Sequence, residues 1–561
     1  MQQATLSEIG AGRTHDVINQ SAPLVDVNLY QGNRALRDAL VHHLGASFDD
    51  RELQELGALA GSAHMQQHAR LANVHTPELR THDRQGRRID QVEFHPSYHA
   101  LMEAAIRHGL HAAAWVRPAH GHLLRAAGFM LFTELEPSVL CPVSMTYAAT
   151  PALRANPALH AAWFPKLAST VYDPRFIPAD RKSGVTMGMG MTEKQGGSDV
   201  RANTTQAVYE QDTPWGRCYR LAGHKWFFSA PMCDAFLVLA QAPGGLSCFF
   251  LPRWLPDGTV NALHIQRLKD KLGNKANASS EVEFLGAQAW LVGEEGRGVP
   301  QILEMGTHTR LDCALGTTGL MRHALALALH HTAQREAFGR PLIAHPLMRN
   351  VLADLAVEVE AAIALALRLA HAFDAEGDPH EAAMRRVLTP VAKYWICKRG
   401  SAFAQEAMEC LGGNGYVEER GEGVMARIYR EMPVNSIWEG AGNVMALDLL
   451  RALRKRTGTG ADVVDALAAE WAAGRSADAR IDRRAAQVLQ RLEDGVEEVE
   501  ARRLAQDVAL VTQACLLRRH APEPVFEAFC ASRLDADWGQ AFGTLPAASD
   551  FEGILARAMP V

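Results

Sequence analysis

Three stretches of the chain hold residue types that could do chemistry. The first is Gly190-Met-Thr-Glu-Lys-Gln-Gly-Gly-Ser-Asp199. Its glycines let backbone approach a ligand closely, its N–H groups can face an anion or a heteroaromatic edge, and Thr192 and Ser198 add hydroxyls. The second is Gly223-His-Lys-Trp-Phe-Phe-Ser229. Adjacent aromatics on a strand alternate sides, so at least one leaves the core and offers a flat apolar face to a large planar ring. The third runs from Tyr429 to Asn443 and places Glu439 between Trp438 and a Gly-rich helix start. A carboxylate beside an indole is partly desolvated, which raises its pKa and makes it a stronger base toward a carbon acid. Each stretch also has an ordinary reading: a hairpin loop, a core strand, a helix-capping glutamate. Taken singly, the ordinary reading is the better one.

Other chemistries lack support. There is no G-x-G-x-x-G after a strand, no Walker loop, no H-E-x-x-H and no G-x-S-x-G, which disfavours a Rossmann dehydrogenase, a P-loop ATPase, a zincin and an ordinary α/β-hydrolase. His42-His43, His330-His331, His108, His111, His120 and His122 sit in no recognisable motif with a carboxylate, so no metal site is expected. The 9 cysteines form no C-x-x-C and are odd in number, which points to reduced thiols and a cytoplasmic protein. Met1 to Asp16 lacks the basic and apolar regions of a signal peptide. The longest apolar run, Leu355 to Ala370, is broken by Glu358, Glu360 and Arg368 and reads as a core helix, not a membrane span. With 57 Lys+Arg against 63 Asp+Glu, a net charge of -6, any polyanion site must be local.

The elements that must position these residues follow from texture. The 561 residues are 48% apolar and 21% charged, an ordinary globular balance for about three or four domains. Residues 1–183 read as a helical domain, with apolar residues at three- and four-residue spacing from Asp50 to Ala72 and from Ser97 to Leu135. Residues 184–297 hold short strands bounded by Gly and Pro, a small β-barrel or sandwich. Residues 298–456 return to long Ala/Leu-rich helices: Arg310 to Arg335, Leu347 to Phe373, Pro390 to Leu411 and Ala441 to Leu453. Thr457-Gly-Thr-Gly reads as a linker, and 457–561 as a further helical domain. The fold class is therefore α+β and multidomain.

Taken together, the three stretches resemble the acyl-CoA dehydrogenase flavoproteins. The family's M-T-E-x-x-x-G-S-D, G-x-K-x-W-I-T, R-x-F-G, L-G-G-x-G-Y and Y-E-G are matched in order. Here they are Met191 to Asp199, Gly223 to Ser229, Arg335-Glu-Ala-Phe-Gly339, Leu411-Gly-Gly-Asn-Gly-Tyr416 and Trp438-Glu-Gly440. Leu268-Lys-Asp-Lys-Leu-Gly-Asn and Glu431-Met-Pro-Val-Asn-Ser-Ile-Trp-Glu-Gly, with the extra C-terminal residues, are similar to the branch that responds to DNA alkylation. That branch appends a helical domain implicated in binding duplex DNA.

The resemblance implies non-covalent FAD and a homotetramer. Met191, Thr192, Gly197 and Ser198 would contact the flavin, with Phe227, Phe228 and Ser229 flanking its ring. Arg335, Phe338, Gly412 and Gly413 match positions that bind pyrophosphate and adenine across a subunit contact. Asn435 lies in the stretch that closes over FAD. Glu439 matches the catalytic base, with Glu431 the next candidate. Some relatives hold the base just before an Arg-Leu pair; Thr309 precedes Arg310-Leu311 here, so that position is empty. The Thr that follows Glu-Gly in the family is Ala441, and Trp226, Phe228 and Trp438 are expected to narrow an acyl pocket. The resemblance therefore implies a FAD protein that binds double-stranded DNA, with an acyl-CoA or an alkylated base as candidate substrates. The alternative is a metabolic, isovaleryl-CoA-like acyl-CoA dehydrogenase.

The C-terminal arginines fit phosphate contacts. Arg451, Arg454, Lys455 and Arg456 form one cluster; Arg480, Arg484 and Arg491 share a helix stripe with Arg483 beside them; Arg518 and Arg519 end another helix. A solvated, salt-bridged helix face accounts for the same pattern equally well from sequence alone. The resemblance favours DNA.

Overall fold

The computed structural model describes residues 15–375, 377–454, 463–472, 478–535, 539 and 541–560. Lys455, Arg456 and the expected linker at 457–460 lie outside the described residues, as do the first fourteen positions.

Three helices open the chain: α1 (Arg34–Leu44), α2 (Arg51–Gly61) and α3 (Ala63–Val74). Ser62 ends α2 and caps α3 by accepting the Met65 N–H, so the periodicity from Asp50 to Ala72 yields two helices. A hairpin then interrupts the region expected to be helical, β1 (Glu78–His82) with β2 (Arg88–Glu93). Its turn is held by Asp83, whose Oδ1 accepts from the backbone of Gln85 and Arg87. Next come α4 (Pro96–Arg107), α5 (Ala113–Val116), α6 (Gly121–Leu135), α7 (Leu140–Leu153) and α8 (Pro157–Leu167).

The middle of the chain is β3 (Met187–Thr192), β4 (Gln206–Thr213), β5 (Gly216–Ser229), β6 (Ala235–Ala242), β7 (Gly245–Pro252), β8 (Leu263–Leu268) and β9 (Ser279–Val292). They form one mixed sheet in the order β3-β5-β4-β6-β7-β9-β8. β3 also pairs in parallel with β6, and the long β5 pairs with β9, so the sheet curls into a barrel. Tyr219, Leu221, Phe228, Phe236, Phe249 and Phe284 share one apolar core. A second core joins Leu237 and Phe250 of the barrel to Met145, Trp163 and Ile302 of the flanking helices.

The second helical part holds α9 (Gly298–Gln334), a two-residue-strand hairpin β10 (Glu336–Ala337) and β11 (Arg340–Pro341), α10 (Pro346–Asp374), α11 (Pro379–Cys410), α12 (Gly413–Tyr416), α13 (Val424–Asn435) and α14 (Gly442–Arg454). Pro390 lies inside α11 and does not start it. The start is set by Asp378, whose carboxylate accepts the His380 and Glu381 N–H groups, with Pro379 at the first helical position.

The C-terminal helices are α15 (Val463–Ala472), α16 (Ala479–Asp494), α17 (Ala501–His520), α18 (Glu523–Phe529) and α19 (Phe551–Ala558). They do not stand apart from the bundle. α17 packs on α10, α11 and α14, and Leu504, Val508, Val511 and Leu516 are buried in the same core as Leu365 and Leu369. The charges that interrupt α10 serve this junction. Glu358 pairs with Arg533 at 3.0 Å, Glu360 with Arg557 at 2.7 Å, and Arg368 with Glu470 at 2.9 Å. A chain cut after Arg456 would therefore strip α10 and α11 of apolar cover.

Candidate functional site

The residues expected around a flavin fall into three places. The first is the barrel edge. β3 and β5 are antiparallel with Thr192 opposite Phe227 and Met189 opposite Ser229, so Thr192 and Phe227, expected at one site, are cross-strand neighbours. Phe227 is 51% exposed and presents its ring outward. Phe228 does not join it. Its ring is wholly buried against Phe236 at 4.4 Å; a β-bulge between Lys225 and Phe228 turns both of those side chains inward and leaves Phe227 outside. Phe228 therefore belongs to the barrel core and neither flanks a ligand ring nor narrows an acyl pocket. Gly190 exists for its sake: a Cβ there would come within 2.4 Å of the Phe228 ring. Met191 and Thr192 are half-buried, and Gly197 and Ser198 are exposed. A Cβ on Gly197 would sit 2.7 Å from Thr192 Oγ1, so the loop folds over the Thr192 hydroxyl only with glycine there.

The second place is a narrow cavity between α6, α7, α9 and α13, about 40 Å³ in volume, with Glu439, Trp438, Asn435, Glu431, Thr309 and Asp312 in its wall. That is room for a few water molecules. Trp438 lines it; Trp226 lies on the barrel under Lys269, whose Nζ is 3.3 Å from the indole centroid. Glu439 has φ 57°, a left-handed conformation that disfavours a side chain. Its neighbours hold it there. Arg310 Nε donates to the Glu439 carbonyl at 2.9 Å, and Lys393 Nζ donates to the Gly440 carbonyl. Arg310 is itself fixed by Asp448 at 3.1 Å, which Arg386 grips at 2.8 Å. The Thr309 hydroxyl donates to Glu439 Oε2 at 2.7 Å. The residue before the Arg310-Leu311 pair is thus the group that orients Glu439.

Burial raises the Glu439 carboxyl above its ordinary range, opposed by the Thr309 hydrogen bond and the charges of Arg310 and Lys393. Glu431 is pushed up to about 7 by burial, against hydrogen bonds from Asn274, with the nearby Glu136 charge adding to the rise. The Asn274 side-chain amide donates to Glu431 at 2.8 Å, and the Asn274 backbone N–H donates to its other oxygen. A Cβ on Gly273 would lie 2.4 Å from the Arg430 carbonyl. The Leu268–Asn274 and Glu431–Gly440 signatures, far apart in sequence, are therefore partners in space. The third carboxylate, Asp312, is held by two 2.7 Å bonds from Arg125, which stacks 3.5 Å from the Tyr147 ring.

The third place is remote from the barrel edge in the sequence and open to solvent. Arg335 and Phe338 lie on the β10–β11 hairpin, where Phe338 is 97% exposed. Gly412 and Gly413 have no heavy atom within 4 Å of where a Cβ would stand. Both sets touch one segment: Arg335 donates to the Asn19 carbonyl, and Asn414 donates to Gln20 at 3.1 Å.

The C-terminal arginines are engaged within the chain. Arg484, Arg491 and Arg503 share the buried carboxylate of Asp507 at 2.7, 2.7 and 3.2 Å. They border a cleft of about 690 Å³ between α16 and α17. Arg480 pairs with Asp478 and Glu527, Arg483 with Asp535, Arg518 with Glu523, and Arg519 with Glu470. Arg451 and Arg454 are exposed at the end of α14. Sequence reasoning missed Asp507 and gave Thr309 no role, since a single polar residue on a helix gives no signal of its partner. Among the described residues, no group of three or more His, Cys, Asp or Glu could hold a metal ion, and no helix is long and apolar enough to cross a membrane.

Helices, barrel and helical bundle in this order define the acyl-CoA dehydrogenase fold. Residues 188–286 match that family's middle domain and residues 296–454 its C-terminal domain, and the chain belongs to this family of FAD-dependent oxidoreductases. Within it, residues 19–174 match the adaptive response protein AidB N-terminal domain. The chain is 48% identical to AidB of Escherichia coli (strain K12) over 530 residues, 94% of this chain and 96% of that one. The solved structure of Caenorhabditis elegans ACDH-11 in complex with C11-CoA superposes with TM-score 0.82 at 25% identity, covering 96% of each chain. The apo form of Bd2924 gives TM-score 0.80 at 30% identity, covering 90% of this chain and 99% of that one.

Proposed function

We propose that the chain is a FAD-binding, AidB-like protein that binds double-stranded DNA and acts in the response to DNA alkylation damage, with at most weak acyl-CoA dehydrogenase activity. The observation that carries the DNA reading is the cleft where three guanidinium groups share the one carboxylate of Asp507. Glu500 also lies 3.6 Å from Arg491, so three guanidinium groups meet two carboxylates; the remaining positive charge suits phosphates, and Arg503 and Arg491 keep 59% and 32% of their side chains exposed to reach them. Near full-length likeness to AidB supports the same reading.

The residues present fit FAD. The outward Phe227 ring, the Thr192 hydroxyl opposite it and the glycine that the loop requires at 197 make a flat, close-approach surface. Arg335, Phe338, Gly412 and Gly413 would hold the rest of the cofactor from a neighbouring copy, within a homotetramer. The exposed Phe338 and Tyr416 support such a contact. A cytoplasmic location belongs to the same proposal. When bound, FAD supplies a hydride acceptor. Glu439 would take a proton from a carbon acid onto its carboxylate, with the Thr309 hydrogen bond to Oε2 fixing the orientation of that carboxylate.

The Glu439–Thr309 arrangement favours a second reading, a metabolic acyl-CoA dehydrogenase. The narrow cavity disfavours a long acyl chain. Flavin bleaching separates the two. Anaerobic holoprotein is mixed with isovaleryl-CoA or with methylated duplex DNA, while duplex binding is titrated against salt. Tight, salt-sensitive duplex binding with slow bleaching by the thioester supports the first reading. Fast bleaching by the thioester without duplex binding establishes the second.

A further inference from the structure

The barrel motifs contain two charged residues that the functional reading leaves unused, Glu193 and Lys225. Both side chains are fully buried, and Lys225 Nζ lies 2.6 Å from Glu193 Oε1. Lys225 also donates to the Leu239 carbonyl at 2.7 Å. The Glu193 carboxylate accepts further bonds from Gln195 Nε2 at 2.7 Å, Thr204 N at 2.7 Å, Thr204 Oγ1 at 3.1 Å and Thr205 N at 3.3 Å. One carboxylate thus ties both ends of the 193–205 loop to the middle of β5. Adjacent bonds run the same way. The Lys194 N–H donates to His224 Nε2 at 3.1 Å, and Asn203 Nδ2 donates to the Met191 carbonyl at 2.9 Å.

Burial opposes the charge on Glu193, yet Lys225 and the donors outweigh it and hold the carboxyl down at about 2. Burial brings Lys225 down to about 8 against the pull of Glu193. A buried ion pair is a poor source of stability, because an apolar pair of equal volume avoids the desolvation. What this pair fixes is geometry. It stands two residues from Phe227 on one strand and next to Thr192 on the other.

We propose that Glu193 and Lys225 are positioning residues that preset the Met191–Asp199 loop and the Phe227 ring for the flavin, an inference that rests on the FAD binding proposed above. The full-length protein is stripped of flavin, and FAD uptake is titrated by fluorescence quenching at pH 6 and pH 8 for wild type, Lys225→Met and Glu193→Gln. Tryptic cleavage at Lys194 and Arg201 in the flavin-free protein reports the loop directly, and thermal melting reports the fold. Each variant is expected to lose about tenfold in FAD affinity, since preorganisation is lost, and to be cut faster in the loop. Lys225→Met is expected to recover affinity at pH 6, as the unpaired Glu193 carboxylate takes up a proton. Should Lys225→Met fail to fold, the isosteric Glu193→Gln, which keeps an acceptor for Thr204, carries the test. A wild type that takes up no FAD overturns the flavin reading itself. Wild-type uptake with unchanged affinity in the variants overturns the clamp alone, as does affinity that falls only in step with melting and without faster loop cleavage.

Discussion

The cavity at Glu439 and the cleft at Asp507 are built from the same residue types in opposite balance. In the cavity, three carboxylates line a space of about 40 Å³ and only Asp312 has a guanidinium on its oxygens. In the cleft, three guanidinium groups crowd one carboxylate. Burial decides what each surplus does. The cavity carboxylates are desolvated, so Glu439 and Glu431 move up in pKa and become able to hold or take a proton. The cleft arginines keep their charge and part of their exposure, so they remain available to a polyanion.

The largest effect is expected from the cavity. Glu439→Gln should abolish any acyl-CoA dehydrogenation, a loss of about 10²–10⁴-fold. FAD and duplex binding should stay intact, because the amide can still accept from Thr309. Turnover assays on holoprotein, beside flavin and DNA titrations, check this. Unchanged turnover would move the base to another group, Glu431 first.

A smaller effect separates the two carboxylates. The Glu431 carboxyl is raised from 4.5 to about 7, so the folded chain binds its proton more tightly than the unfolded chain. Stability should therefore be greatest at low pH with respect to this group and should fall as pH rises from about 4.5 to about 7, by roughly 3 kcal/mol at most. In Glu431→Gln that descent should flatten. Denaturant unfolding between pH 5 and 8, compared for wild type and variant, measures the difference. The same slope in both would show that another group carries it.

How far such features could be read from residues alone differs between regions. The three-part architecture was legible, because apolar periodicity switches from three-to-four to short Gly- and Pro-bounded runs and back. Thr192, Phe227 and Glu439 were legible as members of ordered motifs, and the fold does set Thr192 opposite Phe227. The side chosen by each aromatic was not legible. The bulge in β5 sends Phe228 inward, and a run of three aromatics carries no mark of which one that is. The β1–β2 hairpin was hidden because its strands are short and mostly polar, although Asp83 and Gly86 mark its turn. The C-terminal helices looked separable because the sequence turns Gly- and Thr-rich at 457. Their dependence on the bundle rests on pairs such as Glu358–Arg533, whose partners lie far apart in the chain.

The smallest effects are expected among the C-terminal arginines, and they sharpen what the surplus charge of the cleft means. Deleting the C-terminal helices is no test, since α17 is part of the bundle core. Single substitutions are. Arg480, Arg484 and Arg518 should each, as alanine, weaken all duplex sequences alike and reduce the salt slope by about one unit. Arg480 is gripped by Asp478 and Glu527, so removing it also frees two carboxylates. Its effect on binding should come with lower stability. Arg484 leaves Asp507 still paired to Arg491 and Arg503, so its loss should appear in binding with little change in melting. Asp507→Asn runs the comparison backwards. It keeps one hydrogen-bond acceptor while removing the charge that the three arginines share, and should strengthen duplex binding and steepen its salt dependence. A weaker or salt-insensitive complex in Asp507→Asn would mean that the cleft does not meet phosphate, and would leave Arg451 and Arg454, exposed at the end of α14, as the next place to look.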